Sequence, residues 1–255
     1  MIQMSSSEEK LAQSLTAESV ELVPFLPYLL QDLWELGSSP DDMVELITNH
    51  KVLTSDSTVL DLACGKGAVS IKIAEQFQCR AKGYDLMSDF IKEARNKAAD
   101  YHVSDLCTFL RADITLLNLE QEQVDLVVFG AVGNVLGEPP QMLNRLKEAL
   151  KPAGYILLDD GYALTETYDY YTRKDWLKFF EQTNLMLLDE ITIEKDHLIS
   201  LCDEQISYIT TRSEELKLRH PYKADLFDSY VRSQKAECEE LENDIIGVTF
   251  LLKMN

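Results

Sequence analysis

Basic residues are scarce in this chain: 24 lysines and arginines stand against 44 aspartates and glutamates, a formal net charge of −20. They nowhere gather into a dense cluster, so the surface that binds a phosphate backbone is missing, and nucleic acid is not an expected partner. Cysteine is sparse too. Cys64, Cys79, Cys107, Cys202 and Cys238 are odd in number, widely scattered and never arranged as C-x-x-C, which argues against a disulfide scaffold or a zinc site and leaves buried reduced thiols. No run of about eighteen apolar residues occurs, and the opening MIQMSSSEEK has no basic start followed by an apolar core. A cytoplasmic protein without a membrane partner is expected. Histidine is limited to His50, His102, His197 and His220, none spaced against a partner as a catalytic base would be, so solvated or structural roles are expected for all four.

What the chain does have is length and apolar content for one substantial core: 255 residues, 45% apolar. Residues through Lys10 are polar and read as frayed. LVPFLPYLLQDLWEL is rich in large apolar groups, and Ser39-Pro40-Asp41-Asp42 supplies a cap, a proline at the first helical position and acids in the first turn. Residues 1–50 therefore read as a helical N-terminal cap segment preceding a domain over 51–255. From Thr58 short apolar runs alternate with amphipathic stretches: TVLDLA (58–63), RAKGYD (80–85), CTFLRAD (107–113), VDLVVFG (124–130) and GYILLDD (154–160). Strand, helix, strand at this spacing predicts a parallel sheet with helices on both faces. A helix around TRKDWLKFFEQTN, a strand LLDEITIEK, a charged helical insertion over about 196–244 broken near His220-Pro221, and a strand IGVTFLLKM follow. The fold class is α/β, with a seven-stranded mostly parallel sheet whose last strand is antiparallel.

The stretch VLDLACGKGAVSI (59–71) is a strand entering a glycine turn and leaving as a helix. A dinucleotide site of this kind uses G-x-G-x-x-G around a pyrophosphate, with an acid about twenty residues on for the ribose. Gly65, Gly67 and Asp85 fit, and Ser70 stands at the third glycine position. Asp61 does not: like charges about 4 Å apart repel by roughly 4 kcal/mol at an effective dielectric near 20. A phosphate-free ligand with a sulfonium and an ammonium reverses that sign. Here the segment resembles motif I of class I S-adenosylmethionine-dependent methyltransferases, in the form D-x-x-x-G-x-G, with Ala63 where many members carry a glycine. The resemblance extends over roughly residues 55–160.

The resemblance implies S-adenosylmethionine as cofactor and a set of contacts. Asp61, Ala63, Gly65 and Gly67 would form the turn. Asp85 would take both ribose hydroxyls, with Leu86 beside the adenine. Asp113 would meet the adenine amino group, Ala112 and Ile114 flanking the ring, and Phe129 and Gly130 would close the fourth-strand motif under the methionine portion. The same three acids could instead cap turns and helices. The product would be S-adenosylhomocysteine.

The acceptor is less legible. GAVGNVLG after the fourth strand is not the Asn-Pro-Pro-aromatic signature of enzymes acting on amide or adenine amino nitrogens. Asp125 opens its strand and so lies at the far end from a metal site, which leaves Asp159 and Asp160; no metal is expected. Tyr28, Asp160, Tyr162 and Tyr168 are the candidate substrate contacts, because aromatic groups with polar tips suit a small organic acceptor. Tyr170, Tyr171 and Trp176 lie in the same aromatic stretch. No catalytic residue is assigned. The expected reaction is methyl transfer to a small molecule; a non-catalytic S-adenosylmethionine-binding protein and a nucleic-acid methyltransferase are the alternatives.

Overall fold

The computed structural model describes residues 7–165 and 170–254. The strands are β1 (Thr58–Leu62), β2 (Arg80–Asp85), β3 (Cys107–Arg111), β4 (Val124–Gly130), β5 (Leu150–Ala163), β6 (Leu185–Thr192) and β7 (Ile245–Met254). They form one sheet in the order β3-β2-β1-β4-β5-β7-β6. β1 pairs in parallel with β2 and β4, β2 with β3, and β4 with β5, while β6 and β7 are antiparallel. Strand order reverses between β1 and β4, the place where open parallel sheets bind ligands beyond the strands' carboxyl ends. Val59, Leu60 and Leu62 of β1 and Leu126, Val127, Val128 and Phe129 of β4 are buried, as expected for central strands covered on both faces.

The α-helices among the described residues are α1 (Ser7–Ser14), α2 (Leu26–Leu29), α3 (Pro40–His50), α4 (Ala68–Phe77), α5 (Ser88–Asp100), α6 (Pro139–Lys147), α7 (Arg173–Gln182), α8 (Lys195–Arg219) and α9 (Ala224–Asn243). Their starts follow local chemistry. Ser39 caps α3, its Oγ accepting the Asp42 N–H at 3.2 Å, and Pro40 follows at the first helical position. Thr172 and Asp175 form a reciprocal capping box on α7.

The chain divides into two compact units, Glu35–Thr192 with Gly247–Asn255, and Met1–Trp34 with Ile193–Ile246. The first holds the sheet and includes α3, whose His50 Nε2 lies 2.8 Å from Asp189 Oδ2 of β6. This division passes between residues 34 and 35. In the second unit α8 and α9 pack on each other, bridged by Gln205 Nε2 to Gln234 Oε1 at 2.7 Å and Lys217 Nζ to Asp228 Oδ1 at 2.8 Å. The early residues dock here: Thr16 donates to Glu237 Oε2 at 2.6 Å, Phe25 meets Phe227 edge-on at 5.1 Å, and Arg212 reaches Asp32 through two hydrogen bonds of 2.5 and 2.8 Å. His220 stacks edge-on against Phe25 at 5.2 Å, a structural role.

Three boundaries differ from the sequence reading. A helix occupies 7–14 where fraying was expected; it is short and polar, and packing of its buried Ala12 supports it. β5 begins at Leu150, four residues before the expected start at Gly154, with an irregularity at Pro152-Ala153-Gly154, a register shift against Val124/Leu126 and Ala153 at φ 61°. β6 covers 185–192, because Lys195 already belongs to α8.

Candidate functional site

Beyond Leu62 the chain makes a tight left-handed passage, Ala63 at φ 61°, Gly65 at 52° and Gly67 at 78°. Gly67 caps α4 and is constrained twice over: a Cβ built on it would lie 2.8 Å from Phe109 Cζ and 3.0 Å from Ala94 Cβ. Ala63 carries a methyl group in a conformation that costs an L-residue about 1–2 kcal/mol. Glycine there loses about 0.5–1 kcal/mol through the entropy of the unfolded chain. Ala63→Gly is therefore expected to raise stability by roughly 0.5–1 kcal/mol, seen as a higher urea midpoint at unchanged m; a lower midpoint would contradict the strained geometry.

Two buried carboxylates sit against this turn. Asp61 Oδ2 accepts the Ser70 hydroxyl of α4 at 2.6 Å. Burial pushes its carboxyl up to about 7, against the pull of Ser70 and with a further push from Asp85. Asp85, at the end of β2, accepts the Gly65 N–H on Oδ2 at 2.9 Å and the Met87 N–H on Oδ1 at 2.8 Å. Burial raises its carboxyl as well, and those backbone hydrogen bonds oppose the rise. Asp85 thus orders both the glycine turn and the start of α5.

The next strand end is laced to this one. Ala112 N donates to Asp85 O at 2.9 Å, and Arg111 Nε to Leu86 O at 3.0 Å. Asp113 caps a short 3₁₀ turn, its Oδ1 accepting the Thr115 N–H at 2.9 Å and the Thr115 hydroxyl at 2.6 Å, with Ile114 buried behind it. The capping role allowed for Asp113 in the sequence is present. Asp61, Ala63, Gly65, Gly67, Asp85, Leu86, Ala112, Asp113 and Ile114 therefore all lie at or beside the carboxyl ends of β1, β2 and β3.

Gly130 closes β4 behind the buried Phe129. A Cβ on Gly130 would collide with Ser38 Oγ and crowd Asp159 Cβ at 3.2 Å. Ser38 also hydrogen-bonds Asp159, at the end of β5. Burial raises the Asp159 carboxyl to about 7 and that of Asp160, which accepts the Gly161 N–H at 2.7 Å, to about 6. Leu36 approaches Gly65, 3.2 Å from the place of a Cβ, and Gly37 approaches Ala131. The segment 36–38 therefore crosses the ends of β1, β4 and β5. Sequence reasoning missed it; the signal was Gly37, at φ 106°, two residues before the helix cap Ser39.

The remaining candidates are placed as follows. Tyr162 is buried in β5. Tyr168 lies outside the described residues. Tyr28 belongs to the helical unit, where its hydroxyl donates to Glu215 Oε2 and accepts from Arg219 Nη2 at 2.8 Å. Trp176, 2% exposed, donates Nε1 to Gly161 O at 3.1 Å and packs with Phe179, Phe180 and Phe250, and Tyr171 stacks on Phe179 at 4.9 Å. Both are packing residues. Asp125 sits at the other end of the sheet, accepting from Thr58 N and Lys151 Nζ at 2.8 Å. Burial alone would raise its carboxyl, yet Lys151 and Thr58 hold it below the ordinary range. Among the described residues no three His, Cys, Asp or Glu side chains form a set that could hold a metal ion, and no helix is long and apolar enough to cross a membrane.

Comparison with known proteins agrees with this geometry. A family profile described as a methyltransferase domain matches residues 53–210. A demethylmenaquinone methyltransferase from Lactiplantibacillus plantarum is 29% identical over 107 residues, 41% of this chain and 45% of the relative, so the match spans less than half of that protein. The ubiquinone/menaquinone biosynthesis C-methyltransferase UbiE of Rickettsia massiliae is 25% identical over 199 residues, 73% of this chain and 75% of the relative. Among solved structures, a SAM-dependent methyltransferase from Geobacter sulfurreducens in complex with S-adenosyl-L-homocysteine superposes with a TM-score of 0.78 at 15% identity, over 91% of this chain and 98% of that one. That likeness shows a shared fold. With the family profile covering more than half of the sequence, on a sheet of this order and a glycine turn held by two buried acids, the chain belongs to the class I methyltransferase family.

Proposed function

We propose that the protein transfers a methyl group from S-adenosylmethionine to a small organic acceptor. The observation that carries this reading is the pair of buried carboxylates, Asp61 and Asp85, closed around the glycine turn. Their burial already opposes ionisation, and a pyrophosphate beside them would add repulsion of several kcal/mol. A ligand with cationic groups and no phosphate fits this donor set. When bound, S-adenosylmethionine supplies a methyl group activated by its sulfonium.

The chain's own residues then have definable tasks. Asp85 binds the ribose hydroxyls, held in place by the Gly65 and Met87 N–H groups. Asp113, anchored by Thr115, meets the adenine edge between Ala112 and Ile114. Gly130 and the segment Leu36 to Ser38 line the methionine end, and Asp160 and Tyr162 face the acceptor. Alignment in a site that excludes water recovers a large part of the ~7–11 kcal/mol available from proximity, so the reaction needs no strong base. The net charge of −20 disfavours nucleic acid as acceptor, and the relatives' quinone-related names favour a small ring compound.

Calorimetry tests the cofactor. S-adenosylmethionine and S-adenosylhomocysteine are expected to bind at least tenfold more tightly than NAD, and tighter binding of NAD would end the methyltransferase reading. Methyl transfer to a panel of phenols, quinols and amines then tests the acceptor class, which salt-sensitive methylation of RNA would overturn.

A further inference from the structure

Lys66 stands between the two glycines of the turn. A lysine in such a turn ordinarily trails into water, but this side chain is fully buried. Its Nζ lies 3.1 Å from Glu93 Oε2 and 5.8 Å from the centroid of the Phe90 ring. Both partners belong to α5, the helix that begins just after Asp85. Burying an ammonium is unfavourable unless a counter-charge and good geometry offset its desolvation. The arrangement therefore ties two particular pieces of chain together: the turn after β1 and the helix after β2.

The same two pieces are already joined around one carboxylate. Gly65 N donates to Asp85 Oδ2, Met87 N to Asp85 Oδ1, and Cys64 N to Tyr84 O at 2.9 Å. Asp85 is thus gripped on one side by the turn that Lys66 occupies and on the other by the first residues of the helix that Glu93 occupies. If the turn lifts from α5, the Gly65 N–H leaves Oδ2 and the carboxylate loses its fixed orientation.

We propose that Lys66 is a positioning residue: through Glu93 and Phe90 it clamps the glycine turn onto α5 and so sets the Asp85 carboxylate in the orientation that receives a ribose. The inference rests on the reading of Asp85 as the ribose acid. It extends that reading to a residue whose side chain is turned into the protein and acts only through its neighbours.

The test uses the full chain and two probes, S-adenosylhomocysteine and its 2′-deoxyadenosyl analogue, with binding read by calorimetry. The wild-type protein is expected to bind the 2′-deoxy analogue about tenfold more weakly. Lys66→Met, which keeps the stem and removes the charge, is expected to bind S-adenosylhomocysteine about tenfold more weakly, and the 2′-deoxy analogue, which keeps only the 3′-hydroxyl contact, only about threefold more weakly. Lys66→Arg is expected to restore most of the loss. Glu93→Gln alters only the half-exposed partner and stays informative if Lys66→Met does not fold; it is expected to move the two affinities in the same pattern. Equal weakening for both ligands would reduce Lys66 to a structural residue, and unchanged affinities in both variants would overturn the proposal outright. A wild-type protein that ignores the 2′-hydroxyl, or does not bind S-adenosylhomocysteine, would instead remove the reading of Asp85 on which the proposal rests.

Discussion

Replacing Asp61 by asparagine is expected to stabilise the protein at pH 8 and to leave it nearly unchanged at pH 4. Burial pushes the folded-state carboxyl up to about 7, whereas the unfolded chain titrates near 3.9. Between those values the unfolded state has lost its proton and the native state keeps it, so stability from this group falls as pH rises from about 4 to about 7 and is constant above. The full penalty is on the order of 4 kcal/mol. Asparagine can still accept the Ser70 hydroxyl and carries no charge, so the variant should lose this pH dependence. For a chain of this size that corresponds to roughly 5–15 °C in melting temperature at pH 8. Thermal denaturation of both proteins across pH 4–8 gives the answer, and parallel curves would mean that Asp61 is solvated in the native state. The same substitution is expected to weaken binding of S-adenosylmethionine more than of S-adenosylhomocysteine, because only the former carries the sulfonium charge.

Asp85→Ala should have the larger effect on binding. The variant loses two charge-assisted hydrogen bonds to the ribose, for an expected affinity decrease of about 1.5–3 kcal/mol, ten- to a hundredfold. It also leaves the Gly65 and Met87 N–H groups without their acceptor. An unsatisfied buried donor costs about 1–3 kcal/mol, offset in part by removal of a carboxylate that burial disfavours. A lower melting temperature is therefore expected beside the weaker binding. Asp85→Asn, which keeps one acceptor, should fall between the two. Circular dichroism establishes that each variant is folded, and calorimetry with S-adenosylhomocysteine then measures the loss. Full affinity in a folded Asp85→Ala protein would show that the ribose lies elsewhere.

The sequence made the strands legible where burial and period agree. TVLDL and VDLVVFG are central strands and read as such because nearly every residue is apolar. RAKGYD is less obvious, with Gly83 in its middle; a Cβ there would meet Cys64 Sγ and Phe109 Cδ1 at 2.7 Å, so the glycine is a packing requirement and not a break. Asp61 was legible from the charge it would set against a phosphate, and Asp85 and Asp113 through the family resemblance, which put them at the ends of parallel strands, where charged groups can meet a ligand. Leu36, Ser38 and Lys66 were not. Each gains its role from a partner distant in sequence, Gly65, Asp159 or Glu93, and no local pattern distinguishes a loop serine or a turn lysine that is buried from one in water. In the aromatic stretch after β5, Tyr171 and Trp176 pack against Phe179 of α7 and, for Trp176, against Phe250.

β7 lies between β5 and β6, yet it is encoded after both. On a ribosome β5 is complete roughly ninety residues before β7 emerges, and at about 5–20 residues per second this interval is on the order of ten seconds. For that time the outer edge of β5 has no neighbour, and β6 is the nearest strand able to take the wrong place. The residues of α8 and α9 are made in the same interval, so the growing chain holds an open sheet edge while it builds a helical hairpin. A nascent chain stalled before Ile245 would present the open edge of β5 as a template for a second stalled copy.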